Sequence, residues 1–246
     1  MSLGGGDGVT GLVSSGAVAA GDITDAGATG IALVQAATAA AADAVIRPWT
    51  VISLASSSGW TDGSGAGTTA TIDTASQEVD LEYPVAAGNG LNAYQHHAAY
   101  WTLGAIEVRA RLRTMTGPAH VDHRAGIYLS GAWPGAADYS AVEIALDGTA
   151  RVRSSAGDGA WIAVANLLAG QGWVRVVRDG GTVRGYVGTG SGGAPPTTWT
   201  YLGAVTTSGV CTAAAVGYIA PLLGSAGARA SDVLASWGDL AWRELP

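Results

Sequence analysis

Trp173-Val174-Arg175-Val176-Val177-Arg178-Asp179-Gly180-Gly181-Thr182-Val183-Arg184-Gly185-Tyr186-Val187 is the stretch that decides the fold. Two runs rich in β-branched and aromatic residues flank Asp-Gly-Gly, the pattern of antiparallel strands joined by a tight turn. The pattern recurs upstream, where Asp147-Gly148 joins Ala141-Val142-Glu143-Ile144-Ala145-Leu146 to Thr149-Ala150-Arg151-Val152-Arg153. Over residues 104–113, Ile106, Val108, Ala110 and Leu112 alternate with Glu107, Arg109, Arg111 and Arg113, a period of two that predicts a half-buried strand. Further strands are predicted over 50–54, 68–73, 77–83, 120–129, 160–165, 198–202, 213–220 and 233–244. No helical period interrupts them, so the region from Trp49 onward reads as an all-β sandwich or jelly roll, not as βαβ units.

Composition bounds the remaining possibilities. At 246 residues the chain can hold one large domain, or one domain with an appendage. Charged residues are 13% of it, half the usual share of about 25%, while 48% are hydrophobic and 38 residues are glycine. The formal charge is −7 and all 12 basic residues are arginine, which argues against a nucleic-acid binder. One cysteine, Cys211, excludes an intramolecular disulfide framework and a multi-cysteine zinc site, and it reads as a buried structural thiol. The opening residues carry no basic and apolar secretory pattern. The longest apolar stretch, 36–46, is broken by Thr38 and Asp43 and falls short of the ~20 residues a membrane helix needs, so no membrane insertion is expected. A soluble chain made in the cytoplasm follows as the expectation. Nine tryptophans and eight tyrosines with no phenylalanine is an unusual aromatic set, because both types carry a polar group besides their apolar ring.

Residues 1–47 differ from the rest. Up to about residue 30 they are small and polar, with no aromatic ring. From Thr29, a possible N-cap, Ile31, Val34, Thr38, Ala41 and Val45 recur at steps of three and four until Pro48, which predicts one helix over about 29–46. So short and narrow a seam needs a surface to pack on, either the C-terminal domain of its own chain or copies of itself. The run Asp22-Ile23-Thr24-Asp25-Ala26-Gly27-Ala28-Thr29-Gly30-Ile31-Ala32-Leu33-Val34-Gln35-Ala36-Ala37, continued by the alanines up to Val45-Ile46, resembles a segment of bacteriophage tail-fibre and minor tail proteins. That resemblance implies a homotrimer with Ile31, Val34, Ala41 and Val45 at its seam, localisation in the virion, and other tail or capsid proteins as partners.

The residues 173–187, with Thr198-Trp199-Thr200-Tyr201-Leu202-Gly203 and the closing Trp237-Gly238-Asp239-Leu240-Ala241-Trp242, resemble the concanavalin A-like lectin/glucanase fold in its LamG-like form. The resemblance implies a sandwich spanning 48–246. That fold hosts lectins, hydrolases and adhesive modules, so it does not choose among functions.

The glucan-cleaving branch of that superfamily sets carboxylates at alternate positions of one strand, so that they face one cleft. The nearest stretch here is Glu143-Ile144-Ala145-Leu146-Asp147, with alanine at its centre and Asp147 at the start of a turn. Glu143 reads as an exposed strand residue, no catalytic residue is identified, and the chain is expected not to be an enzyme. His96-His97 and His120-Val121-Asp122-His123 lack the spacing of strand-borne metal ligands, so neither metal nor cofactor is expected. The Gly188–Pro196 stretch has no lysine and no following helix, and reads as a hairpin loop, not a phosphate loop. What remains is aromatic. Trp60 with Asp62, Trp133 with Asp138 and Tyr139, and Trp161 all lie in or beside turn-rich segments. Sugar rings lie on such platforms while polar groups take the hydroxyls, although tryptophan is also common as core or edge cover. Trp133, Asp138, Tyr139, Trp60 and Asp62 are therefore the expected contacts to a host-surface saccharide. The alternatives are a glycan hydrolase or depolymerase on the same fold, and a purely structural capsid or tail decoration protein.

Overall fold

A computed structural model describes residues 47–101, 105–131, 139–207 and 215–245. All of them belong to the unit Ile46–Pro246. The expected helix over 29–46 and its seam Ile31, Val34, Ala41 and Val45 lie outside the described residues, as do Trp133, Asp138 and Cys211.

Among the described residues sixteen strands run in chain order as β1 (Thr50–Val51), β2 (Trp60–Asp62), β3 (Thr69–Asp73), β4 (Glu78–Tyr83), β5 (Asn92–Trp101), β6 (Ala105–Thr116), β7 (His123–Ser130), β8 (Tyr139–Ala145), β9 (Thr149–Ser154), β10 (Gly157–Asp158), β11 (Ile162–Ala163), β12 (Gly172–Asp179), β13 (Thr182–Thr189), β14 (Thr200–Thr206), β15 (Ala215–Ser225) and β16 (Val233–Glu244). They form two sheets. The first has the order β14-β13-β12-β6-β16-β4-β3 with β1 added on β16, and the second β10-β9-β8-β7-β15-β5-β2 with β11 added on β9. The all-β sandwich expected from the sequence is thus the architecture of the described region.

The two hairpins form as read. Asp179 pairs with Thr182 across Gly180, and Gly180 and Gly148 take the positive φ values of 52° and 84° that their turns require. Asp147 caps the other turn, its carboxylate accepting from the Thr149 backbone N–H at 3.0 Å and hydroxyl at 2.6 Å. Alternation then fills the core: Val108, Ala110, Leu112, Val174 and Val176 of the first sheet join Ile127, Leu129, Val142, Ile144, Val152 and Ile219 of the second in one buried cluster. Each large side chain among them contributes roughly 1.5–3 kcal/mol by leaving water.

Several expectations are corrected. Strand β5 has ten residues and no clear apolar alternation, because its inward position Gln95 is polar; Gln95 is tolerated there because its side-chain amide donates to the Ala70 carbonyl at 2.7 Å. The strand predicted from residue 120 starts at His123, since His120 makes a turn in which its ring Nδ1 accepts the Asp122 N–H at 3.1 Å. The strand predicted over 160–165 shrinks to β11, while the one over 213–220 continues to Ser225. Glu107, placed by alternation on the polar face of a half-buried strand, is 1% exposed, because Arg175 and Arg243 close over its carboxylate. No helix among the described residues is long and apolar enough to cross a membrane.

Candidate functional site

Alternation on the second sheet sends one set of side chains into the core and the other onto the opposite, outer face. Tyr94 on β5, Leu222 and Ala220 on β15, Tyr128 on β7 and Ala141 on β8 form a second, smaller apolar cluster there, with Tyr139 packed against it. The Tyr128 and Tyr139 rings lie 5.7 Å apart. The aromatic row continues along β5 and back to β15, with Tyr94 6.1 Å from His96 and His96 5.3 Å from Tyr218. Burial pushes the His96 imidazole below its ordinary pKa, partly opposed by Asp62, which favours its neutral form.

Charge is gathered on the other side of Tyr128. Register places Glu143 opposite Arg151 on β9 and Gly126 on β7. One Glu143 oxygen accepts from Arg124 Nε at 3.1 Å, from a terminal amino group of Arg153 at 3.2 Å and from the Tyr128 hydroxyl; the other accepts from Arg151 Nε at 2.7 Å. Asp158 completes the set, taking Arg151 at 2.9 Å and Arg153 Nε at 2.8 Å. The Trp161 ring lies beneath the Arg151 guanidinium, 4.4 Å away. Glu143 is 0% exposed, which corrects its reading as an exposed strand residue: its side chain does point away from the core, but arginines from two neighbouring strands roof it over. Burial pushes the Glu143 carboxyl up, yet Arg124, the Tyr128 hydroxyl, Arg151 and Arg153 together outweigh it and hold it below its ordinary range. Burial raises the Tyr128 hydroxyl well above its usual value, with the Glu143 charge adding to it, so Tyr128 stays protonated and donates.

Between the two groups a pocket of about 350 Å³ opens, bordered by Asn92, Tyr94, Arg124, Tyr128, Tyr139 and Arg153 among others. That volume is at the lower end of the roughly 300–1,000 Å³ of small-molecule sites. A pocket with aromatic walls and forked donors can hold the apolar face of a ring while hydrogen-bonding its substituents.

Of the five expected contact residues, Tyr139 borders this pocket, while Trp133 and Asp138 fall outside the described residues. Trp60 packs against the main core with its ring 5.1 Å from His97, and the Asp62 carboxylate accepts the Ser64 N–H at 2.9 Å. Their strand β2 is the far edge of the sheet, four strand steps from β8 or about 19 Å at ~4.8 Å per step, so the structure does not bring them to Tyr139. Asn92, Tyr94, Arg124, Tyr128 and Arg153 escape sequence reasoning, which takes Glu143 only as an exposed strand residue. One signal for them was legible: a hairpin across Asp147-Gly148 faces Glu143 with Arg151. His123 is buried against the Ser225 hydroxyl at 2.9 Å, and no group of three or more His, Cys, Asp or Glu among the described residues is placed to hold a metal.

No family model matches the chain, and no curated protein matches it by sequence. Among solved structures it resembles a Bacillus subtilis protein of unknown function with a galectin-like fold, at 10% identity and a TM-score of 0.50, over 82% of this chain and 98% of that one. It also resembles the GH43 protein BlXynB of Bacillus licheniformis, at 11% identity and a TM-score of 0.51, over 76% of this chain; the match spans only 36% of that protein. A lectin from Bauhinia forficata in complex with GalNAc aligns at 10% identity and a TM-score of 0.47, over 80% of this chain and 98% of that one. At these identities the likeness is one of fold, and that fold is the lectin-like, concanavalin A-like sandwich. It lends no support to the tail-fibre resemblance of residues 22–46. The expectation that the chain is not an enzyme is corrected: a GH43 protein shares the sandwich, so the fold does not separate glycan cleavage from glycan binding.

Proposed function

We propose that this chain recognises a saccharide in the pocket on the outer face of its second sheet. The observation that carries the reading is the meeting of three tyrosines, Tyr94, Tyr128 and Tyr139, with the hydrogen-bonding groups of Asn92, Arg124 and Arg153 around one cavity. The sandwich itself supports it, because a protein with a galectin-like fold and a GH43 protein are among the structures it resembles. The proposed setting is a phage virion, as a homotrimeric tail-fibre or minor tail protein that touches a host-surface glycan. The resemblance of residues 22–46, with the seam Ile31, Val34, Ala41 and Val45, supports that setting. Affinity per site is expected at roughly 1 mM to 1 μM, or about −4 to −8 kcal/mol, and a trimer would raise it by multivalent display.

A panel of immobilised bacterial envelope saccharides, probed with the full chain and with Tyr139→Ala, tests the reading. Tyr139 is half-buried at the pocket edge, so its loss should weaken binding about three- to tenfold. The melting temperature should fall by less than about 4 °C, equivalent to roughly 1 kcal/mol for a domain of this size. A chain that binds nothing on the panel, or a variant that binds as tightly as the parent, would overturn it. Mass spectrometry of the recovered saccharides shows whether bound chains are also shortened.

A further inference from the structure

Building on the saccharide reading of this pocket, we propose that the ligand is an acidic saccharide, one whose ring bears a carboxylate, and that Arg124 and Arg153 receive the anion. Of the 11 described residues that border the pocket two are charged, and both are arginine. The whole chain carries −7, so a cavity whose described wall carries only cationic charge runs against the composition. Glu143 does not reverse this. It sits fully buried, and both of its oxygens are already occupied by the arginines and Tyr128.

A count of the network leaves a surplus. Among the described residues, Arg124, Arg151 and Arg153 face Glu143 and Asp158, three positive charges against two negative. The unused donors are also at the pocket. Arg124 engages Glu143 through Nε and also hydrogen-bonds the Tyr128 hydroxyl, which leaves part of its five-donor fork over. Arg153 spends Nε on Asp158 and one amino group on Glu143, which leaves its second amino group over. Both side chains are partly exposed, so these donors can be reached from solvent.

A neutral sugar would satisfy such donors with single hydroxyls and leave the surplus charge standing in a half-buried site. A carboxylate matches the planar fork of a guanidinium with two parallel hydrogen bonds and removes the surplus. The sugar ring would then lie on Tyr128 and Tyr139 beside the arginines. Glu143 acts as a positioning residue: it fixes Arg124 and Arg153 before the ligand arrives, so less side-chain freedom is lost on binding.

The test titrates the full chain by calorimetry with oligosaccharides of galacturonate, guluronate, mannuronate and sialic acid, each paired with its carboxyl-reduced, neutral counterpart. At least one acid should bind about tenfold more tightly than its reduced form, the discrimination expected of one charge-assisted pair. That preference should weaken as salt rises from about 0.05 to 0.5 M, because the sites are partly solvent-screened. Arg124→Gln should abolish the preference, and Arg124→Lys, which keeps the charge and loses the fork, should leave only part of it. The preference is measured on the parent chain, so the outcome does not depend on how well the variants fold. Equal binding of acid and reduced forms, or binding of neutral saccharides alone, overturns the acidic ligand and leaves the saccharide site standing. Binding of no saccharide of either kind overturns both.

Discussion

Replacing Glu143 by glutamine is expected to destabilise the sandwich by about 3–5 kcal/mol, the cost of removing one partner from a buried ion cluster. The substitution keeps the size of the side chain, but it leaves Arg124, Arg151 and Arg153 crowded together with Asp158 as their sole remaining carboxylate in the network. At about 2–4 °C per kcal/mol for a domain of this size, the melting temperature should fall by roughly 6–20 °C. The loss has a pH signature. The Glu143 carboxyl is held below its ordinary range in the folded state, so its contribution is present above its unfolded pKa of about 4.3 and disappears as pH falls through the folded value. Parent and variant melting curves should therefore lie far apart at pH 7 and converge in acid, where the parent's carboxyl also becomes neutral. A constant gap down to the acid transition would mean that the arginines do not hold Glu143 in its charged form.

Trp237→Ala is expected to be equally severe, at about 3–5 kcal/mol, for a different reason. Trp237 is 0% exposed on β16, between Val79 of β4 and Leu112 of β6, and belongs to the main core. Its removal leaves a cavity at the middle of the first sheet. The indole N–H meets no acceptor among the described residues, so Trp237→Phe sheds an unsatisfied donor along with some volume and should cost clearly less than the alanine variant. Thermal melts of the two variants beside the parent check this. Equal losses would place the importance of Trp237 in its polar atom and not in its volume.

Sequence alone carried the fold further than the site, and particular residues show why. The strands β8, β9, β12 and β13 are local objects, each pair joined by a short glycine turn, so pattern and turn chemistry were enough. β5 was hidden because Gln95, His96 and His97 break the apolar rhythm, and burying Gln95 depends on the Ala70 carbonyl of another strand. The pocket is less local still. Arg124, Tyr128 and Glu143 come together through the pairing of β7 with β8, whose strands are linked through residues 131–138, and Tyr94 and Leu222 join them from β5 and β15. Alternation correctly turned Glu143 away from the core. It could not show that the outward side was roofed, because the roof is built from arginines 8 to 19 positions away in the chain. Carboxylates at alternate positions are not the signal of this face: the polar side chains among the described residues of the pocket wall are arginine, asparagine, tyrosine and serine.

A crystal structure of the full chain with the tightest-binding saccharide of the panel tests the placement of the site most directly. The sugar ring should lie against Tyr128 and Tyr139, with its polar substituents on Arg124, Arg153 and Asn92. A saccharide seated instead along the β2 edge beside Trp60 and Asp62, or on the outer face of the first sheet, would contradict it.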